Sequence, residues 1–190
     1  FVKAGRLGKT EKLSVRYIWM ASKETDQYTT RPTSFVESDG TWLTAALGIA
    51  QKFGVVTDKV LPFKLGGQSQ MYTGSANTFY ALAAQRRIAS YFNLGRNLSA
   101  WRNWLATKGP ILTRLDVDDA FMQATATKGK LDTYTANSGL GGHCVALVGY
   151  VNGRFIVRNS WGTGWGDKGF AHAADSYAQP AFTEAFGVVL

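Results

Sequence analysis

A chain of 190 residues with 45% hydrophobic and 13% aromatic content can fill one globular domain, or two small lobes sharing a cleft. Its short apolar runs exclude a membrane-spanning helix, and its single cysteine excludes an intrachain disulfide, so packing alone holds the fold. The net charge of +8 comes from scattered basic residues of which only Arg86 and Arg87 adjoin, which points to solubility or weak steering rather than a nucleic-acid site.

In chain order, LSVRYIWMASK has apolar residues at 13, 17, 18 and 21, which predicts a helix with Ser14 as its N-cap. The polar stretch ETDQYTTRPTSFVESDG predicts a surface loop. TWLTAALGIAQKFG, apolar at 43, 46, 47, 50 and 53, predicts an amphipathic helix ended by Gly54. The chain then turns at Pro62, runs through KLGGQSQMYTG as loop and forms a helix in SANTFYALAAQRR capped by Ser75.

From residue 86 the pattern changes. RRIASYFNL reads as a strand, and NLSAWRNWLATKG as a helix capped by Asn97 and stopped by Gly109-Pro110. ILTRLDV alternates, with Ile111, Thr113, Leu115 and Val117 on one face, and DDAFMQAT predicts a short helix. Strands are expected at 143–151, 154–161, 169–174 and 186–190. A helical lobe over 1–85 and a β-rich lobe over 86–190 make the expected class α+β.

The chemistry-bearing stretch is GGHCVALVGYVNGRFIVRNSWGTGWGDKGF, residues 141–170. Cysteine, histidine and asparagine are the parts of a thiol protease, but Cys144 adjoins His143 on a predicted strand. Successive strand side chains point to opposite faces, so this base cannot reach this thiol. Cys144 is expected to be a small buried hydrophobe. Asn159 reaches the face of His143 if Val151-Asn152-Gly153 forms a three-residue loop pairing 150 with 154 and 145 with 159. A two-residue turn at Asn152-Gly153 would instead put Asn159 opposite Ala146, on the wrong face. Trp161 then lies beside the pair and covers it from water.

At GGHCVALVGY and VRNSWGTGWGDKGF the chain resembles the papain family of cysteine peptidases. The likeness extends to GKTEKLSVRYIW, to DGTWLTAALGIAQKFGVVTDKVLPF and to GPILTRLDVDDAFMQATATKG. It implies a papain-like two-lobe fold with a helical first lobe, a β-barrel-like second lobe and the active-site cleft between them. It implies His143 as general base, Asn159 as its orienter and Trp161 as their shield, acting on a peptide or protein substrate with no cofactor. Gly40, Thr41 and Gly142 fall where the resemblance implies contact with the substrate backbone. Thr41 stands in place of the second of two paired glycines, and Gly142 where plant members often have Asp.

The family's nucleophilic cysteine has no counterpart in the chain. Phe1 matches a point on the order of ten residues beyond it, roughly 15 Å along the same helix. An N-terminal fragment or partner chain carrying that cysteine is therefore expected to fill the groove of the central helix, and the chain alone is expected to be inactive. The alternative is an inactive papain-like scaffold with a binding or assembly role. An acyl transferase of the transglutaminase type would usually have Asp where Asn159 stands. His172 has no second ligand nearby for a metal. LDVDDAF lacks the glycine and terminal Glu of a calcium loop and reads as a helix cap with a solvated face. KLGGQSQ lacks the Lys-Ser/Thr of a phosphate loop.

Overall fold

A computed structural model describes residues 7–25, 40–64 and 75–190. Most of the two expected loops, at 24–40 and 64–74, lies outside the described residues. The chain divides into two compact units, residues 1–90 with Leu190, and residues 91–189.

The first unit is helical. Helix α1, Val15–Thr25, starts at buried Ser14, whose Oγ accepts from the Tyr17 N–H (3.0 Å) and donates to the Leu61 carbonyl (2.6 Å). The expected cap is thus made, and it also ties the helix to the turn before Pro62. Helix α2, Leu43–Lys52, closes where the Gly54 N–H returns to the Ile49 carbonyl (3.0 Å). Helix α3, Ala76–Ala84, has Ser75 at its N-cap position, but the Ser75 side chain makes no capping bond. Tyr17, Ile49, Val55, Val56, Leu61 and Ala83 form the core of this unit.

The second unit is built on a seven-stranded sheet. Strand β1, Ser90–Asn93, is shorter than the expected run from residue 86. Helix α4, Leu98–Thr107, follows, with the Asn97 side chain accepting from the Ser99 and Ala100 N–H groups, both at 3.0 Å. Strand β2, Ile111–Asp116, buries Ile111, Thr113 and Leu115, as its alternation predicts. The short helix α5, Asp119–Met122, and strands β3, Lys130–Leu131, β4, Gly142–Val151, β5, Arg154–Arg158, and β6, Phe170–Ala173, come next. Helix α6, Asp175–Ala181, and strand β7, Phe182–Val189, complete the unit. The strand order is β1-β7-β2-β4-β5-β6-β3, and β3 pairs parallel with β6. Trp101, Phe121, Phe155, Tyr177 and Phe182, all fully buried, are the large residues of its core.

The β4–β5 hairpin departs from the expected loop. Val151 pairs with Arg154, so the turn has two residues, Asn152 and Gly153, with φ +49° and +76°. Both are left-handed, as a two-residue turn matched to the twist of its strands requires, and Asn and Gly tolerate that region best. The register then slips between Leu147 and Gly149, which makes Val148 a bulge. That slip supplies the one-residue correction: Ala146 pairs with Arg158, and one further step puts Asn159 opposite Val145. The face expected for Asn159 is reached by a different route.

Candidate active site

His143 enters on β4, and Asn159 follows the last residue of β5 with its N–H bonded to the Gly169 carbonyl (3.0 Å). The imidazole Nε2 lies 2.8 Å from Asn159 Oδ1. The same oxygen accepts the Ser160 backbone N–H at 2.8 Å. A backbone N–H can only donate, so it fixes which end of the amide is oxygen. Nε2 must then carry the ring proton and donate it to Asn159. In the neutral ring this leaves the Nδ1 lone pair free on the far side, the atom that can take up a proton. Asn159 is 8% exposed, and its buried Nδ2 has no partner among the described residues, so the two bonds to Oδ1 hold its orientation.

Trp161 lies against the imidazole, with ring centroids 4.8 Å apart and planes tilted by 35°. Its outer side stays wet, at 43% exposure. Phe121 of α5, absent from the sequence-derived site, completes the enclosure. Its ring centre lies 5.9 Å from His143, 5.4 Å from Trp161 and 4.7 Å from Trp165. The Trp165 Nε1–H donates to the Phe121 carbonyl at 3.0 Å. The local sequence signals only that Phe121 sits on a short helix; which partner it meets is decided by tertiary packing.

Gly142 precedes His143 opposite Asp116 of β2. A Cβ placed there would lie 2.4 Å from the Arg114 guanidinium, so the glycine makes room for that side chain. Arg114 in turn pairs with Asp116 (2.7 Å) and donates to the Thr183 hydroxyl (2.7 Å). Gly40 and Thr41 belong to the first unit, just before α2, with Gly40 at φ +76°.

Cys144 faces away from His143, as strand parity requires, but it is exposed rather than buried. Alternation gives the face of a side chain, not what covers that face, and only the side of β4 bearing Val145 and Leu147 meets the core. The thiol stands in a cross-strand row with Arg114 of β2 and Glu184 of β7. Surrounding protein atoms and then the Glu184 carboxylate push it above the ordinary thiol range, with Arg114 pulling the other way. A raised thiol on the wrong face is a poor nucleophile. The expected solvated face of LDVDDAF is also corrected: Asp119 is exposed, but Asp118 is fully buried. His172 lies on β6, its carbonyl accepting from Arg154 (3.3 Å). Among the described residues, no group of three or more His, Cys, Asp or Glu could hold a metal ion.

A family model described as papain family cysteine protease matches residues 9–184. The chain belongs to the papain family. Cathepsin B-like CP2 of Giardia intestinalis is 29% identical over 144 residues, which cover 70% of this chain and 45% of that protein. Cysteine proteinase 2 of Entamoeba histolytica is 36% identical over 105 residues, 52% of this chain and 33% of that protein. The matched stretch thus spans less than half the length of these papain-family relatives. Among solved structures, xylellain, a cysteine protease from Xylella fastidiosa, has a TM-score of 0.75 at 18% identity, covering 93% of this chain and 69% of its own. Digestive procathepsin L 3 of Tenebrio molitor larval midgut has a TM-score of 0.68 at 20% identity, covering 100% and 58%. These likenesses show the papain fold, an α+β fold of two lobes.

Proposed function

We propose that this chain carries the imidazole half of a papain-type peptide-hydrolysing site, and that the thiol comes from a segment outside the 190 residues. The observation that carries the reading is the His143–Asn159 pair, locked by the Ser160 N–H so that Nδ1 is left as the base. The only cysteine here points from the opposite face of β4. In this reading Nδ1 takes the proton of the incoming thiol, and the thiolate attacks the peptide carbonyl carbon. The imidazolium then returns its proton to the departing amine as the carbon–nitrogen bond breaks. Water, deprotonated by the same nitrogen, cleaves the resulting thioester and frees the thiol. Asn159 holds the ring through Nε2 in every step, and Trp161 limits water at that bond. Gly40, Thr41 and Gly142 take the role of substrate-backbone contacts. The partner is a segment or second chain bearing the cysteine at a helix N-terminus, where the dipole lowers its pKa.

The experiment joins this chain to the segment preceding Phe1 in its own gene and adds a thiol-reactive peptide analogue. Labelling is expected on a cysteine of the added segment, to fall on the order of a hundredfold in His143→Ala and to persist in Cys144→Ala. The chain without that segment is expected to stay unlabelled at the same dose. A preceding segment without cysteine, or labelling indifferent to His143, would leave the papain fold here serving as an inactive binding scaffold.

A further inference from the structure

Asp118 is fully buried one residue before α5, and among the described residues none of its partners is a cation. Its carboxylate accepts three hydrogen bonds. Oδ1 takes the Phe121 N–H (3.0 Å) and the Tyr177 hydroxyl (2.7 Å), and Oδ2 takes the Thr135 N–H (3.0 Å). A buried carboxylate is costly unless its lone pairs are satisfied, and here three neutral donors from three parts of the chain converge on it. Only an acceptor-only side chain suits that set. Asparagine, equal in size, would turn an NH₂ toward a donor.

These bonds lead to the imidazole by two routes. The cap on the Phe121 N–H sets the turn that presents the Phe121 ring to His143 and Trp161. The bond to Thr135 anchors the loop that runs into β4. That loop is bonded again to the residue beside Asp118: the Val117 N–H donates to the Gly141 carbonyl (2.9 Å), and the Ser138 hydroxyl to the Val117 carbonyl. Gly141 is two residues from His143. Tyr177, fully buried on α6, braces the carboxylate from the third side and itself takes no part in the site.

We propose that Asp118 is a positioning residue for His143, with Tyr177 as the donor that holds it in place. The inference rests on His143 being the base of the proposed reaction. Asp118 touches no reacting atom; it sets the aromatic wall and the strand start that aim the ring. Such supporting contacts matter because a misplacement of about 1 Å costs on the order of a hundredfold in rate.

The test uses the full-length protein with isotope-labelled histidine, in Asp118→Asn, Tyr177→Phe and Phe121→Leu variants. In the parent, the His143 ring protons are expected to be shifted by the rings of Trp161 and Phe121, which lie against the imidazole. Phe121→Leu removes one ring and gives the reference for a lost wall. In folded Asp118→Asn and Tyr177→Phe, the His143 resonances are expected to move toward that reference while those of His172, on β6, stay. Turnover is expected to show kcat reduced on the order of tenfold with KM little changed. Should Asp118→Asn fail to fold, Tyr177→Phe decides alone, since it removes one bond at nearly constant volume. His143 resonances unmoved in the folded variants, with only the melting temperature lowered, would overturn the proposal. A full-length protein without peptidase activity would refute the functional reading, yet the histidine spectra would still decide the positioning role.

Discussion

At the scale of single residues, the site depends on one oxygen with two donors. Asn159 Oδ1 receives both the Ser160 N–H and the His143 Nε2–H, so the amide cannot rotate without setting donors against donors. Being neutral, it orients the ring without clamping the imidazolium as strongly as a carboxylate would. Cys144 shows the complementary case, a reactive residue type in an inert place. Because it is exposed and turned from His143, Cys144→Ala is expected to change stability by no more than about 0.5 kcal/mol. Denaturant midpoints measure the first effect, and turnover of the thiol-complete protein should stay at the parent level. Loss of turnover with an unchanged midpoint would show that the parity of β4 has been misassigned.

At the scale of elements, the β4–β5 hairpin decides whether the site exists. Asn152 and Gly153 hold left-handed backbone in a two-residue turn, and the Val148 bulge corrects the register beyond it. Gly153→Val puts a branched side chain where φ is +76° and is expected to cost about 1–2 kcal/mol. Asn152→Gly, compatible with the same turn, should stay within a few tenths of a kcal/mol of the parent. Thermal melts of the two variants check the contrast, and equal losses would contradict the turn assigned here. The same hairpin marks what the sequence makes legible. The face of β2 and the caps at Ser14 and Asn97 follow from local periodicity and side-chain chemistry; on α2 only Leu43 and Leu47 of the expected stripe are buried, while Ile49 is buried and Phe53 is exposed. That His143 and Asn159 share a face agrees with the family resemblance, but not through the expected register: the three-residue loop does not form, and the bulge restores the face that the two-residue turn alone would have lost. The bulge at Val148 has one local mark, the strand-interior Gly149 beside it, which the expectation of a regular strand over 143–151 passes over. Helix α6 was hidden by Pro180, which reads as a break although Tyr177, Ala178 and Ala181 bury their side chains. Strand β3 has two residues and exists only through its pairing with β6. Phe121 and Asp118 join the site environment through contacts with residues far along the chain, which periodicity cannot supply.

At the scale of the whole molecule, with two cores and no disulfide, burial of tyrosine hydroxyls links stability to alkaline pH. Burial and then Tyr80 raise Tyr17 in the first unit; burial and then Asp116 and Asp118 raise Tyr134 in the second, against a smaller opposing pull from Arg114. Tyr177 is raised furthest, first by burial and then by its hydrogen bond to Asp118, and it ionises in the folded state only far above the ordinary range. An unfolded tyrosine loses its proton near pH ~10, so above that pH the unfolded chain binds fewer protons than the folded one. The stabilisation from each raised group is therefore complete below about pH 10 and declines as pH rises beyond it, at about 1.4 kcal/mol per pH unit for a fully shifted buried group such as Tyr177. Tyr177→Phe removes a buried hydrogen bond and should cost about 1–3 kcal/mol near neutral pH. It also removes the Tyr177 share of the alkaline decline. Urea denaturation of parent and variant from about pH 8 to about pH 11 is expected to show both losing stability, the parent more steeply, so that the gap between them narrows. The sign is fixed by the direction of the shift: a gap that stays constant over this range would mean that Tyr177 ionises equally in both states, and that its hydroxyl is not held between the core and Asp118.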